Sequence, residues 1–553
     1  MEKWPVGNLN LASSRIRILI IFILAFFLLF AARLIQIQAV QAGEYRNKAV
    51  NEMESTRAIP AARGEITDIN GVAFARSVSA INIVVDQTQV TDAAQTANFA
   101  APYLGMTVAQ VQSAISGTKK YSMVAKSAKP AVWRNLTAAI ETYNAALAKE
   151  HFDKRIVGFF AERNYIREYP SGSLVSSLVG FVRQDGIGAT GIESSMNSKI
   201  SGTDGRYSYA RGLGAEIPGS QNELVAAKKG TTVRLTIDRD VQWVAANAIQ
   251  EAVSKARAVS GTVIVMDPKT GHILAHATAP TFDPNNTKTV SESLMRNPSV
   301  QDIYEPGSTG KVMTLAAALE EKKITPETVL TVPYSIKRGG DTFRDHERHP
   351  VQKLTTSGIL AVSSNTGTIK IGEMLSNDTL HDYLSKFGMG KSTGSGLPGE
   401  SAGILRPVSD WSGTTAPTVA FGQGYSLTAM QATSIFATIA NDGVRVSPTV
   451  IAGTSDASGK FTASSARTNE RAISATTAQQ LRIMMESVVS GQGTAPSAAI
   501  PGYRVAGKTG TAWRFNSELR KYSGYTASFI GFAPADAPAY VVSVTIQEPQ
   551  GIH

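Results

Sequence analysis

The sequence predicts an α+β chain, with an antiparallel sheet covered by helices, a mixed region before it, and one transmembrane helix at the start. Three observations carry this: hairpin patterns near both ends of the second half with mostly helical segments between them, an uninterrupted apolar run from Ile18 to Ala32, and a length of 553 residues, more than one ordinary domain holds.

The apolar run lies between Arg17 and Arg33 and resumes from Leu34 to Val40. Its inner fifteen residues reach about 22 Å as a helix, short of a hydrocarbon core of roughly 30 Å, so the span must pass one or both arginines, whose stems snorkel to the headgroups. Residues 18–40 are therefore expected to be an anchor. Lys3, Arg15 and Arg17 precede it, which predicts a cytoplasmic tail at 1–17 and an outward-facing remainder. Val40-Gln41-Ala42 could serve as a signal-peptide cleavage site, but the stretch is long and no helix breaker precedes it.

From 41 to 228 short alternating strands such as Ile81 to Val85 mix with helical stretches such as Lys129 to His151, and nothing resembles a catalytic cluster. The second region, 229–553, opens with a strand within Gly230 to Ile237 and an amphipathic helix from Val241 to Ala256 with Asp238 at its mouth. Thr262 to Met266 and His272 to Ala277 flank Asp267-Pro268-Lys269-Thr270-Gly271, which predicts a hairpin; Ser528 to Phe532 and Tyr540 to Gln547 predict another.

The net charge of +10 comes from scattered rather than clustered basic residues. That suits work beside polyanions such as an acidic lipid surface or cell wall and argues against nucleic-acid binding. The absence of cysteine excludes disulfides, thiol catalysis and cysteine metal sites. His346-Glu347-Arg348-His349 has i, i+3 spacing and is followed by Pro350, so it reads as a solvated loop at the rim of a cleft, and no metal or cofactor is expected.

Three motifs carry candidate chemistry: Ser308-Thr309-Gly310-Lys311, Ser363-Ser364-Asn365 and Lys508-Thr509-Gly510-Thr511. Each has a decoy, at Ser116 to Lys119, Ser195 to Asn197 and Lys269 to Gly271, so context decides. Ser308 follows Pro306-Gly307 and opens the apolar run Val312 to Leu319, which puts Ser308 and Lys311 on one face of a buried helix. A serine hydroxyl needs a base, and a lysine serves only when neutral; burial and a second cation, Lys508, would make Lys311 so. Ser363 would relay a proton, Asn365 would hold Lys311 or a substrate amide, and Thr509 and Thr511 would receive a carboxylate.

A phosphate-loop reading of Gly502 with Gly507-Lys508-Thr509 fails because Pro501 precedes it and Gly510 follows at once. A serine-esterase reading of Gly390-Lys391-Ser392-Thr393-Gly394 lacks a leading strand and a histidine partner.

The motif order resembles the serine penicillin-recognising enzymes. The flanks resemble class B, division-type penicillin-binding proteins: Arg63-Gly64-Glu65-Ile66-Thr67-Asp68 with Asn70-Gly71, Arg167-Glu168-Tyr169-Pro170-Ser171-Gly172, Gly191-Ile192-Glu193, Tyr304-Glu305-Pro306-Gly307-Ser308, Gly422-Gln423-Gly424 and Ala506 to Ala512. The resemblance implies a five-stranded antiparallel transpeptidase fold at 229–553 and a dimerisation or pedestal domain at 41–228. It implies a beta-lactam-sensitive peptidoglycan D,D-transpeptidase that acylates Ser308, with the N–H groups of Ser308 and Thr511 as oxyanion hole and Gly510 among the substrate-binding and oxyanion residues.

Implied partners are peptidoglycan stem peptides, lipid-linked or on nascent glycan strands, beta-lactams, the bacterial cell membrane, a SEDS-type glycosyltransferase and divisome proteins. A septal role is favoured; the alternatives are a side-wall transpeptidase, a D,D-carboxypeptidase or beta-lactamase, and a penicillin sensor without turnover. No polymerase activity is expected. Two departures stand out. Gly310 occupies a position where relatives carry a bulky apolar residue, and relatives continue past the last strand into a further helix, so the end at His553 reads as a truncation.

Overall fold

The computed structural model describes residues 9–44, 54–147, 154–212, 215–216, 222–288, 290–465, 468–516 and 521–550. Helix α1 (Leu9–Ile35) runs on into a π turn over Gln36–Val40. Within it Arg15–Val40 is long and apolar enough to cross a membrane, with a mean hydropathy of 3.0 and no part of that stretch buried. An isolated helix that is apolar all round has no protein partner to bury against, and lipid is the solvent that suits it.

The chain divides into two compact units, one of Met1–Pro60, Asn82–Arg163 and Asp204–Ala227, the other of Ala61–Ile81, Asn164–Thr203 and Lys228–His553. In the smaller, Glu54–Ile59 pairs antiparallel with Gly205–Gly212, and the expected helix from Lys129 is observed over Pro130–Ala146, with proline in its first turn. The end of that expectation, at 148–151, lies outside the described residues.

In the larger unit β1 (Ile66–Thr67) lies antiparallel to the first residues of β2 (Ala73–Val85), a strand whose residues after Ile81 count with the smaller unit, and parallel to β3 (Thr232–Leu235). Asp238 caps α2 (Arg239–Lys255), accepting from the N–H groups of Asp240 and Val241. The first expected hairpin is β4 (Ser260–Met266) and β5 (Ile273–Ala279). Its turn is held by the Asp267 carboxylate, which accepts from the Lys269 and Thr270 N–H groups, so that Lys-Thr-Gly decoy is turn chemistry.

Among the helices that follow, α3 (Lys311–Glu320), α4 (Asn365–Gly372) and α5 (Ala429–Ala440) matter most here. Then come β6 (Ile451–Ser455), which pairs with β3, and α6 (Ala475–Val489). The chain closes with β7 (Ala506–Asn516), β8 (Lys521–Ala533) and β9 (Tyr540–Gln547). Two small hairpin-like pairs, Val329–Val332 with Gln352–Thr355 and Ser335–Arg338 with Asp341–Arg344, interrupt the mostly helical middle.

The five-stranded sheet runs β5-β4-β9-β8-β7, antiparallel at every step. Strands from both ends of the region therefore meet at its centre, where β4 and β9 pair. Strand alternation gives the sheet two faces. Val263, Val265, Ala275 and Ala277 face α2 through Ala245, Ile249 and Val253. Ile264, Met266, Ile530, Phe532 and Val541 belong to the main core with α3, α5 and α6. Toward β7 the α2 face is thinly covered among the described residues: Trp513, Tyr540 and Val542 are exposed, and Trp513 stacks on Tyr525 with ring centroids 4.2 Å apart.

The N-terminal motif residues build one buried ionic cluster inside this unit. Glu193, fully buried, accepts from Arg63 Nε and Arg167 Nε, both at 2.6 Å. Arg63 also donates to Asn197 at 2.8 Å and Arg167 to the Gly64 carbonyl at 2.7 Å. A buried carboxylate needs this degree of pairing to stay charged.

Candidate active site

Ser308 sits on a turn before α3. Gly307–Gly310 is a 3-10 turn, not the first turn of the α-helix that the sequence suggests. Three residues per turn eclipse i and i+3, which stacks Ser308 over Lys311. Gly307 has φ +54°, and a Cβ there would lie 3.0 Å from the Thr511 carbonyl oxygen, so the turn rests directly against β7. Gly307 N–H donates to the Gly422 carbonyl at 2.8 Å, which ties the Gly-Gln-Gly motif to the same turn. Among the described residues the Ser308 hydroxyl makes no hydrogen bond, and Ser308 is partly open to solvent.

From Lys311 to Leu319 every residue of α3 is buried. Lys311 Nζ donates to the Ser363 carbonyl at 2.5 Å and to Ser363 Oγ at 3.2 Å. Lys508 Nζ reaches the same hydroxyl at 2.9 Å and donates to the Thr509 carbonyl at 3.1 Å. One hydroxyl thus accepts from two buried amines. With both acceptor positions taken, its own proton is left to be donated elsewhere. Ser363 stands between two helices at φ +58°, a left-handed conformation that turns its carbonyl and its side chain toward the same amine.

The electrostatics follow from burial. Lys311 is fully buried and its pKa is held well below the usual lysine value, first by desolvation, then by the Lys508 charge, with Asp345 acting in the opposite sense. Burial alone brings Lys508 down to about 7. Two ammonium groups repel strongly across one buried hydroxyl, so the pair favours a state in which one of the two amines is neutral.

The other candidates fall around this centre. Thr509 Oγ1 is 2.8 Å from Thr494 Oγ1. Gly510 leaves no room for a side chain, since a Cβ would come within 2.9 Å of both the Pro306 carbonyl and the Thr309 methyl. Thr511 is exposed on β7, an edge strand. Asn365 does not bond Lys311: its Nδ2 donates to the Arg344 carbonyl at 2.9 Å. Its Oδ1 accepts no hydrogen bond among the described residues.

Sequence reasoning missed Asp345 and Thr494. Asp345 is buried behind the Ser363 turn, just ahead of the run His346 to His349, whose first three residues are exposed as a solvated loop would have them, while His349 Nε2 lies 2.9 Å from the Asp345 carboxylate. The esterase-like segment is a carboxylate cradle. The Thr393, Gly394 and Ser395 N–H groups all donate to Glu400.

Residues 261–553 match the penicillin-binding protein transpeptidase domain, and residues 58–235 match the penicillin-binding protein dimerisation domain. The chain belongs to the penicillin-binding protein transpeptidase family. It is 36% identical to penicillin-binding protein PbpB of Mycolicibacterium smegmatis, over 96% of this chain and 85% of that protein. To peptidoglycan D,D-transpeptidase FtsI of Escherichia coli it is 29% identical, over 92% of this chain and 82% of that one. A crystal structure of penicillin-binding protein 3 from Mycobacterium tuberculosis complexed with aztreonam superposes with a TM-score of 0.69 at 33% identity, covering 89% of this chain and 91% of that one. In this chain a penicillin-binding protein transpeptidase domain follows a dimerisation domain, and the five-stranded antiparallel sheet is the one the resemblance implies.

Proposed function

We propose that this penicillin-binding protein cross-links peptidoglycan by acyl transfer through Ser308. The observation that carries the reading is the Ser363 hydroxyl held by two buried lysines beside the nucleophile turn. Neutral Lys311 spends two N–H groups on Ser363, and its lone pair takes the Ser308 proton as Oγ attacks the carbonyl between the two terminal D-alanines of a stem peptide. The oxyanion is received by the N–H groups of Ser308 and Thr511, a device worth about 3 to 4 kcal/mol per donor.

The C–N bond then breaks, and the D-alanine amine leaves with a proton passed through Ser363 Oγ. An amine of a neighbouring strand attacks the Ser308 ester, losing its proton along the same path and returning one to Ser308. Lys508, with the Thr509 and Thr511 hydroxyls, receives the substrate carboxylate, while Asn365 Oδ1 accepts a backbone N–H. Beta-lactams acylate Ser308 by the same attack.

Residues 18–40 of the apolar helix anchor the chain in the cell membrane, with 1–17 in the cytoplasm and the catalytic region outside. The region before 228 serves as pedestal, meeting a SEDS-type glycosyltransferase and other division proteins. We favour a septal role over a side-wall one, on the likeness of the motif flanks to division-type penicillin-binding proteins.

The test is covalent labelling of membranes with a fluorescent penicillin, followed by release of D-alanine and incorporation of an amine acceptor. Wild type is expected to keep its label and Ser308→Ala to take none. Equal labelling of both would overturn the assignment, and rapid loss of label would indicate a hydrolase instead.

A further inference from the structure

The acyl-transfer scheme leaves one buried ionisable group beside the site without a task. Asp345 follows the strand Asp341–Arg344 and lies directly behind the Ser363 turn. Its Oδ2 accepts from Ser364 Oγ at 2.7 Å and lies 2.9 Å from His349 Nε2. Its Oδ1 accepts from the Thr366 N–H at 2.8 Å, and Thr366 Oγ1 reaches Oδ2 at 3.3 Å. The preceding residue, Arg344, holds Asn365 through its carbonyl.

Two consecutive residues of this strap therefore grip three consecutive residues, the last two of the motif, Ser364 and Asn365, and Thr366 after it. Ser363, just ahead of them, is held by the lysines in a conformation that a non-glycine residue adopts only under constraint. We propose that Asp345 is a positioning residue for acylation, clamping the start of α4 so that the Ser363 hydroxyl stays between the two amines. The inference rests on the acyl-transfer reading above.

The order of bonds excludes a second serine triad. The carboxylate stands between Ser364 and His349, so the imidazole never reaches the hydroxyl. His349 instead supports the clamp: its Nδ1 lies 2.7 Å from the Pro350 carbonyl, which puts both ring nitrogens beside acceptors and favours the imidazolium. The charged groups that face one another here are few. Lys311 faces Lys508 and Asp345, and Asp345 faces Lys311 and His349. Removing the Asp345 charge removes the one charge among the described residues that favours protonated Lys311.

The experiment measures the second-order rate of fluorescent-penicillin acylation across pH, with the final labelled fraction as a count of folded sites, for wild type, Asp345→Asn, Ser364→Ala and Ser364→Thr. Asp345→Asn and Ser364→Ala are expected to reach the wild-type labelled fraction about tenfold more slowly, because a charge-assisted bond is lost. Ser364→Thr, which keeps the hydroxyl, should restore the rate. In Asp345→Asn alone the acid limb should also move to lower pH, a shift that a merely structural role would not produce.

Wild-type rates and an unmoved limb in Asp345→Asn would overturn the proposal. If that variant fails to fold, a wild-type rate in Ser364→Ala overturns it. Absence of Ser308-dependent labelling in the wild type would instead sink the acyl-transfer reading itself.

Discussion

Ser363 does two things that a substitution can separate: it supplies a hydroxyl to two amines and holds a left-handed backbone, at a cost of about 1 to 2 kcal/mol for a residue with a Cβ. Ser363→Ala removes the hydroxyl and keeps the strain; Ser363→Gly removes both. Both variants are expected to acylate at least about a hundredfold more slowly, while the Gly protein melts higher than the Ala protein by the equivalent of about 1 kcal/mol. Labelling rates and thermal unfolding of the pair decide it, and wild-type acylation in Ser363→Ala would contradict the relay. The motif residues were legible because each motif is contiguous and its residue types have few other uses together. Asp345 was not, since its relation to Ser364 and Thr366 crosses about twenty positions of chain and exists only once the strap has folded over α4.

The turn before α3 illustrates what element-level reading can and cannot supply. Gly310, where the resemblance leads one to expect a bulky apolar residue, lies in a 3-10 turn where the hydroxyl of fully buried Tyr425 fills the space a Cβ would take. That hydroxyl has no hydrogen-bond partner among the described residues, so the ring acts here as bulk. Gly310→Val is expected to destabilise by about 1 to 3 kcal/mol through overpacking, and Tyr425→Leu to recover most of it. A double-mutant cycle by denaturant unfolding measures this; additive effects would refute the packing account. Hairpins with turn chemistry were legible to within a few residues, as at β4 and β5. The strand β7 was not, because two glycines in Ala506 to Gly510 depress β propensity. There the sheet edge needs slim residues, with Gly510 closing onto Pro306 and Thr309.

At the scale of the molecule, the core contains a titrating group far from the chemistry. His276 is fully buried on β5, with Nε2 2.5 Å from Ser299 Oγ, and burial lowers its pKa to about 4. An unfolded chain binds that proton near pH 6.5, so the folded state keeps its full advantage above that value and loses it as pH falls toward 4. The loss should approach about 3 kcal/mol. Thermal unfolding between pH 7 and pH 4 should show this slope in the wild type and a flatter one in His276→Leu; identical slopes would refute it.

The fold class was legible because both ends of the second region carry strand patterns that need each other. The assembly of the larger unit was not, because Ile66, Tyr169, Leu178 and Ile192 lie far upstream yet share one core with Val312 and Phe436. That shared interior has a practical meaning. Scissors placed at residue 228 would not free a self-sufficient enzyme; they would lift out staves from the barrel they help to close, and an excised fragment that keeps its catalytic motifs would still lack part of its own inside.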